Sequence, residues 1–337
     1  DIKIGFESTA HYALNLELFL ENAHHSFMEV NPVLIKEYKK STTLRRTKTD
    51  SVDCESIARW LITVEYKPHS KGFYHAYSLK SLTRLRDRLI RQRSFYLVKI
   101  TNVLDHTFPE FKPFFNERLS KTALYLLENY GSAEKMARMN SASYDKLRCI
   151  SRGKFSIQQF LRLKELAANT VGVNNSIFDL ELNTLLTLYK SLSDEINTLE
   201  TEIIKLIEEV HPHYMSIPGI GPISAAVIYA EYGDISNFSN PGQMLAFAGI
   251  EPGINDSGTE SHGGRMVKHG SSQLRYVLLN ACLPLIRFDL TFATYYEKKR
   301  AEGKKHRVAI THVAKKLIRV IYAMERQDVD FNAQKLR

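Results

Sequence analysis

Residues 216–234 read SIPGIGPISAAVIYAEYGD. Pro218-Gly219-Ile220-Gly221 is a tight glycine-rich hairpin, and the apolar run behind it predicts a helix from about Ile223. Together they form a helix–hairpin–helix pattern. Its glycines, Gly219 and Gly221, let backbone N–H groups and a helix N-terminus approach a phosphate. Such contacts read the nucleic-acid backbone and leave the base sequence unread. A plain turn between two helices is the alternative. The charge balance favours the first reading: 46 Lys and Arg face 37 Asp and Glu, a formal net charge of +9 over 337 residues. A chain this basic most often meets a polyanion.

Downstream, residues 249–275 (GIEPGINDSGTESHGGRMVKHGSSQLR) read as a long Gly- and Ser-rich loop leading into a helix capped by Ser271 or Ser272. Loops of this length are usually functional or disordered. Arg265, Lys268, His269 and Arg275 are candidates to converge on a DNA phosphate. Ser257, between Asp256 and Gly258, is placed to expose a hydroxyl. The last amphipathic helix runs from about Arg307 to Met324. It has Ile310, Val313, Leu317, Val320 and Met324 inside and Lys315, Lys316 and Arg319 outside.

Upstream, two long helices are expected. In 78–104, Leu79, Leu82, Leu85, Leu89, Tyr96, Ile100 and Val103 recur among Lys and Arg residues that include Arg84, Arg88 and Arg91. In 180–210, Leu185, Tyr189, Leu192, Ile196, Leu199, Ile203 and Leu206 step alternately by four and three, a heptad seam. The pair reads as a coiled coil or a dimerisation arm, with packing into one ordinary helical domain as the alternative. Shorter helices fill 116–171, after a proline break at 107–115.

At the N-terminus, Ile2, Ile4 and Phe6 alternate with Lys3, Gly5 and Glu7, which predicts a strand. A helix over about His11–Leu20, a strand over Ser26–Val30 and a helix over about Ser51–Val64 make an α/β pattern. Residues 36–49 (KEYKKSTTLRRTKT), with Arg45, Arg46 and Lys48, read as a basic loop. Glu7 ends a strand, and Asp50 and Asp53 share one face of a helix start. Such carboxylates suit Mg²⁺; ordinary helix capping is the competing role. Cys54, Cys149 and Cys282 are odd in number, far apart and without a C-x-x-C, which argues against a disulfide framework or structural zinc and for a reducing compartment. No apolar run approaches the ~20 residues of a membrane span. The expected domains are 1–76, 77–210 and 211–337.

FESTAHY at 6–12, VNP at 30–32 and KTDSVDCESIA at 48–58 resemble the N-terminal domain of the DEDD transposases of bacterial and archaeal insertion sequences. SIPGIGPISAA, GDISNF, LAFAGIEP, the Ser257-Gly258 pair, GGRMVKHGSSQLR and VAKKLIRVIYAM resemble the same family's C-terminal transposase domain. Pilin-gene invertases belong to this group. The chain departs from the family at Ala10, usually Gly, and at Cys54, usually Ala.

The resemblance implies a RuvC-like, ribonuclease-H-type α/β domain, a helical coiled-coil middle and a mostly helical transposase domain. It implies four acidic Mg²⁺ ligands: Glu7, Asp50, Asp53 and an aspartate on an earlier strand, expected upstream of Asp1, so the chain is expected to lack its start. It implies that Ser257 attacks a DNA phosphodiester and forms a phosphoserine link. A structured guide RNA, the bridge RNA, would pair with donor and target DNA, and Arg45, Arg46, Lys48, Arg84, Arg88 and Arg91 would meet its backbone. A cytoplasmic, nucleoid-associated dimer or tetramer follows. Three alternatives stay open: a site-specific invertase, a junction resolvase using water, and a nucleic-acid-binding protein without catalysis.

Overall fold

The computed structural model describes residues 2–7, 13–42, 49–66, 68, 73–116, 119–257 and 260–336, without the side chains of 73–76, 252–265 and 335–336. The chain forms two compact units, Asp1–His75 and Ala76–Arg337.

In the first unit β1 (Ile4–Glu7) pairs in parallel with β2 (Phe27–Val30), with Ile4 opposite Phe27 and Glu7 opposite Val30. A parallel pair needs a crossover, and α1 (Ala13–Asn22) supplies it. The Tyr66 hydroxyl ties the two strand starts together, meeting Ile4 N at 3.3 Å and Ser26 O at 2.9 Å. Two helices follow, α2 (Pro32–Thr42) and α3 (Asp50–Thr63). Val30, Ile35, Ile57 and Leu61 form the small core.

The helix α2 corrects the expectation of a loop from 36: residues 36–42 are helical. Pro32 opens the helix with its φ already helical, and Asn31 Oδ1 accepts the Val33 N–H at 2.9 Å. Ile35 is its one buried residue. A single anchor among Lys, Glu and Ser leaves almost no periodicity to read.

The second unit is built on two 35-residue helices, α4 (Phe73–Thr107) and α10 (Ser176–Val210). They run antiparallel. Leu79 shares a core with Ile203 and Ile207, Arg86 Nε donates to Glu200 at 2.7 Å, and His106 stacks on Phe178. Each end of the pair carries its own apolar core. At one end Ile100, Val103, Leu104, Leu182 and Leu186 pack with α5 (Phe111–Phe114), α6 (Lys121–Tyr130), α7 (Ala133–Ala137), α8 (Ser141–Ile150) and α9 (Ile157–Ala168). On α10 the expected seam is only partly the buried line. Ile196 and Ile203 are buried, but so are Leu182, Leu186 and Ile207, whereas Leu185, Leu192 and Leu199 are half-buried. A helix that serves two cores buries a wider stripe than two positions per heptad.

The other core gathers α11 (Pro222–Tyr232), α12 (Pro241–Ala248), α13 (Ser272–Phe288), α14 (Leu290–Ala301) and α15 (His306–Gln327). The expected inner face of α15 is the buried one, from Ile310 to Met324. The expected loop over 249–275 is corrected: it contains an antiparallel hairpin of β3 (Pro252–Ser257) and β4 (Glu260–Met266). Gly, Asn, Asp and Ser are poor strand formers, so only the backbone ladder marks these strands. Among the described residues no single helix is long and apolar enough to cross a membrane.

The chain's last residues return to the segment before the glycine hairpin. The Phe331 N–H donates to Ser216 Oγ at 2.8 Å. His213 meets Asp330 through Nδ1 and Asp328 through Nε2, both at 2.9 Å. Only the imidazolium donates from both nitrogens, and these bonds, Asp330 first and then Asp328, raise its pKa above the ordinary histidine value. A group with a raised folded pKa contributes fully below its unfolded value, about 6.5, and loses that contribution as pH climbs through the folded value. Amide protection in 328–334, taken relative to the intrinsic exchange rate, is therefore expected to fall across that window. His213→Gln should lack this protection at every pH; a wild-type protection as independent of pH as the variant's would dismiss the clasp.

Candidate functional site

The glycine hairpin is a type II turn. Pro218 takes the second position, Gly219 the third with φ of +97°, and the Ile220 N–H closes it on Ile217 O at 3.0 Å. A Cβ on Gly219 would stand 2.6 Å from Pro284 Cγ and 3.0 Å from Ala281 O of α13. Gly219 is therefore demanded by backbone conformation and by packing. Gly221 differs. Its φ is −80°, it is the N-cap of α11 with no side-chain cap, and a Cβ there would meet nothing within 4 Å. Pro222 has no N–H to offer, so the Ile223 and Ser224 amides form the open, positive end of the helix.

The two glycines thus separate fold from ligand. Gly219→Ala is expected to cost roughly 2–4 kcal/mol from positive-φ strain plus overpacking, read as a lowered thermal midpoint. Gly221→Val should leave the midpoint within about 1 kcal/mol and weaken DNA binding by crowding the phosphate approach. Equal midpoints for the two variants would refute the distinction.

The Ser257 backbone is the last residue of β3, opposite Glu260. At the other end of the hairpin, the Val267 N–H donates to Glu251 O at 3.0 Å. The side chains of Ser257 and Arg265 lie outside the described residues. Lys268, with φ of +58°, and His269 are exposed where β4 leaves the hairpin. Arg275 is half-buried and has another partner: its Nη1 donates to Ala248 O at 3.1 Å, closing the C-terminal turn of α12.

In the first unit Glu7 is the last, half-buried residue of β1. Thr49 is the N-cap of α3, its side chain accepting the Val52 N–H, so Asp50 and Asp53 fall in the first turn. Asp50 is exposed. Asp53 Oδ1 is enclosed without a regular hydrogen bond, and the Lys39 ammonium of α2 lies against it. Among the described residues no three His, Cys, Asp or Glu side chains converge to hold one metal ion. Lys39 is the neighbour that sequence reading missed. Its signal was the four-residue step from buried Ile35, hidden because the segment read as a loop.

On α4, Arg84 donates from Nε and Nη2 to the two oxygens of Glu231 on α11, at 2.9 and 3.1 Å. Arg91 pairs with Asp87 at 2.9 Å and stays exposed, as does Arg88. Arg45, Arg46 and Lys48 lie outside the described residues.

The family described as "Transposase IS116/IS110/IS902 family" matches residues 212–297, which hold the glycine hairpin and the Ser257 hairpin. A second transposase family, the DEDD domain of IS110 elements, matches residues 1–109. The chain is similar to the "Insertion element IS110 uncharacterized 43.6 kDa protein" of Streptomyces coelicolor, 28% identical over 70% of this chain and 60% of that protein. It is similar to the "Transposase for insertion sequence element IS1111A" of Coxiella burnetii, 25% identical over 77% of this chain and 59% of the relative. It is also similar to the "Pilin gene-inverting protein" of Moraxella bovis, 27% identical over 42% of this chain and 46% of the relative. The matched part thus spans about three fifths of the first two relatives' length. The chain thus carries, in order, an amino-terminal DEDD transposase domain of the IS110 kind and a carboxy-terminal domain of the IS116/IS110/IS902 transposase family.

Proposed function

We propose that the chain is an insertion-sequence DNA recombinase, guided by a structured RNA, that cuts and rejoins DNA through a phosphoserine at Ser257. The observation that carries this reading is the position of Ser257 at the end of a two-stranded hairpin, six residues into a segment rooted on α12 and α13, inside the matched transposase domain. A serine held out on a backbone ladder can meet a phosphodiester that the core could not admit.

The Ser257 hydroxyl attacks the scissile phosphorus. An Oγ–P bond forms, the bond to one deoxyribose oxygen breaks, and the serine proton ends on that leaving oxygen. A free DNA hydroxyl then attacks the phosphoserine, restores Ser257 and joins the new strand, so no external energy source is needed. Arg265 and Lys268 offset charge on the phosphate as it develops. The open N-terminus of α11 beside Gly221 holds a backbone phosphate.

The DEDD domain points to a divalent metal, and Glu7, Asp50 and Asp53 would be its holders. Hard carboxylate oxygens suit Mg²⁺. The enclosed Asp53 Oδ1 already faces a positive charge, that of Lys39. When bound, such an ion neutralises charge on the scissile phosphate. Exposed Arg88 and Arg91 are the described residues that fit an RNA backbone. The reading extends to a homo-oligomer in which Ser257 and the carboxylates meet within one chain or across two.

The pilin-inverting relatives favour a second reading, a site-specific invertase with the same chemistry. Capture of a covalent protein–DNA adduct, with the chain, divalent metal and guide RNA, tests the common mechanism. Plasmids carrying sites in direct or inverted orientation separate the two: inversion without insertion would select the invertase.

A further inference from the structure

One block of positive charge plays no part in the sites described above. From Glu297 to Arg319, nine Lys and Arg face two Glu, a net of +7. The fold then crowds these charges together. Lys298, Lys299 and Arg300 end α14; Lys304, Lys305 and Arg307 lie at the turn into α15; Lys315, Lys316 and Arg319 follow about two turns along. The ammonium groups of Lys299 and Lys316, one from each helix, lie 5.5 and 5.2 Å from the centre of the Tyr295 ring. Glu302 is engaged by Lys299, at 2.9 Å to each oxygen.

Little in the fold rewards this crowding. Lys305, His306 and Arg307 sit at the start of α15, where the helix dipole disfavours positive charge, and no acid accompanies them. Burial, and then Lys315, Lys299 and Lys304, hold the His312 pKa below the ordinary histidine value. Burial, and then Arg319, do the same to Lys315. The one acid that eases Lys315 is Glu251, the residue just before β3. The basic shelf therefore begins at the root of the Ser257 hairpin.

We propose that the exposed face of the α14–α15 turn is a second phosphate-backbone surface, one that receives duplex DNA flanking the strand held at Ser257. The proposal rests on the DNA-recombinase reading above. Duplex is favoured over single strand because the local rings are not free to stack on bases. Phe292 is buried beneath Lys316, lysines lie over Tyr295, and Tyr296 is engaged edge-on by His306, its hydroxyl 2.7 Å from Nδ1. A surface of cations without open aromatic faces tracks phosphates.

Lys304, Lys305 and Arg307 are all exposed, so their joint change to Gln tests the shelf without touching the core. The measurement is affinity for a duplex and for a structured RNA across a salt series. A matched triple change of the exposed Arg148, Lys154 and Arg162 serves as control, and thermal midpoints check folding. Each lost phosphate contact lowers the slope of log affinity against log salt by about 0.9. The shelf variant is expected to lose about 2–3 in slope on duplex DNA and roughly tenfold or more in affinity at low salt, with the control unchanged. A slope equal to wild type, or an equal fall in the control, overturns the shelf. So does a fall confined to RNA, which would make it an RNA surface. A wild-type chain whose duplex binding ignores salt overturns the recombinase reading itself.

Discussion

Ser257→Ala is expected to abolish the covalent protein–DNA adduct and to lower strand exchange by about four orders of magnitude or more, the usual penalty for deleting a nucleophile. DNA binding should persist, because the hairpin glycines, Lys268 and the basic helices remain. The thermal midpoint should stay put, since Ser257 ends β3 beside the tip of the hairpin and lies outside the core clusters. The readout is a radiolabelled or fluorescent DNA strand that migrates with the denatured protein. A resolvase using water would behave differently: it would cleave as well in Ser257→Ala as in wild type and would give no adduct in either. A binding protein without catalysis would give neither adduct nor cleavage. Asp53→Asn separates the two halves of the site. Under the proposed mechanism it lowers adduct formation while leaving Ser257 in place, and an unchanged adduct yield would remove Asp53 from the mechanism.

Arg84→Ala is expected to destabilise the second unit by about 3 kcal/mol. The asymmetry of the pair makes the prediction sharp. The Glu231 side chain is 2% exposed and the Arg84 side chain 48%. Removing Arg84 strands a buried carboxylate, which must either stay charged in an apolar surround or take up a proton. Removing the acid, as in Glu231→Gln, frees a guanidinium that water can reach, so the cost should be about 1 kcal/mol or less. At roughly 2–4 °C per kcal/mol for a domain of this size, the thermal midpoint of Arg84→Ala should fall by roughly 6–12 °C. Equal losses in the two variants would mean that the pair acts by packing. The same geometry bears on RNA: Arg84 cannot leave for a phosphate without exposing this cost, so Arg88 and Arg91 are the better donors on α4.

Much of the architecture was open to reading along the chain. The 35-residue helices announce themselves through apolar steps of three and four, and the proline break at 107–115 is where α4 ends. Pro218 and Gly219 specify their turn because φ near −65° and positive φ are what those two residues supply. Two segments were misread for the same reason. Helix α2 has one buried residue, and β3 and β4 are rich in Gly, Asn, Asp and Ser, so neither carries a periodic apolar signal. Their structure comes from partners: α2 packs on α3, and β3 pairs with β4.

The site divides along the same line. Residue type and spacing put Ser257, the acidic trio and the two glycines among the candidates, and the resemblance to the transposase family is what singles out Ser257 and the acids. Assignment of duties needs contacts between distant positions. Gly219 and Gly221 look alike until α13 is seen pressed against one and absent from the other. Arg84 and Arg88 look alike until Glu231, 147 residues on, claims the first. The cations of residues 298–319 are spread over two helices in the sequence until the turn between α14 and α15 brings them together. Local physics chooses helix, turn and reactive group. Burial and long-range pairing choose which of several equivalent groups remains free to act, because only a packed interior makes an unpaired charge or an added methyl expensive.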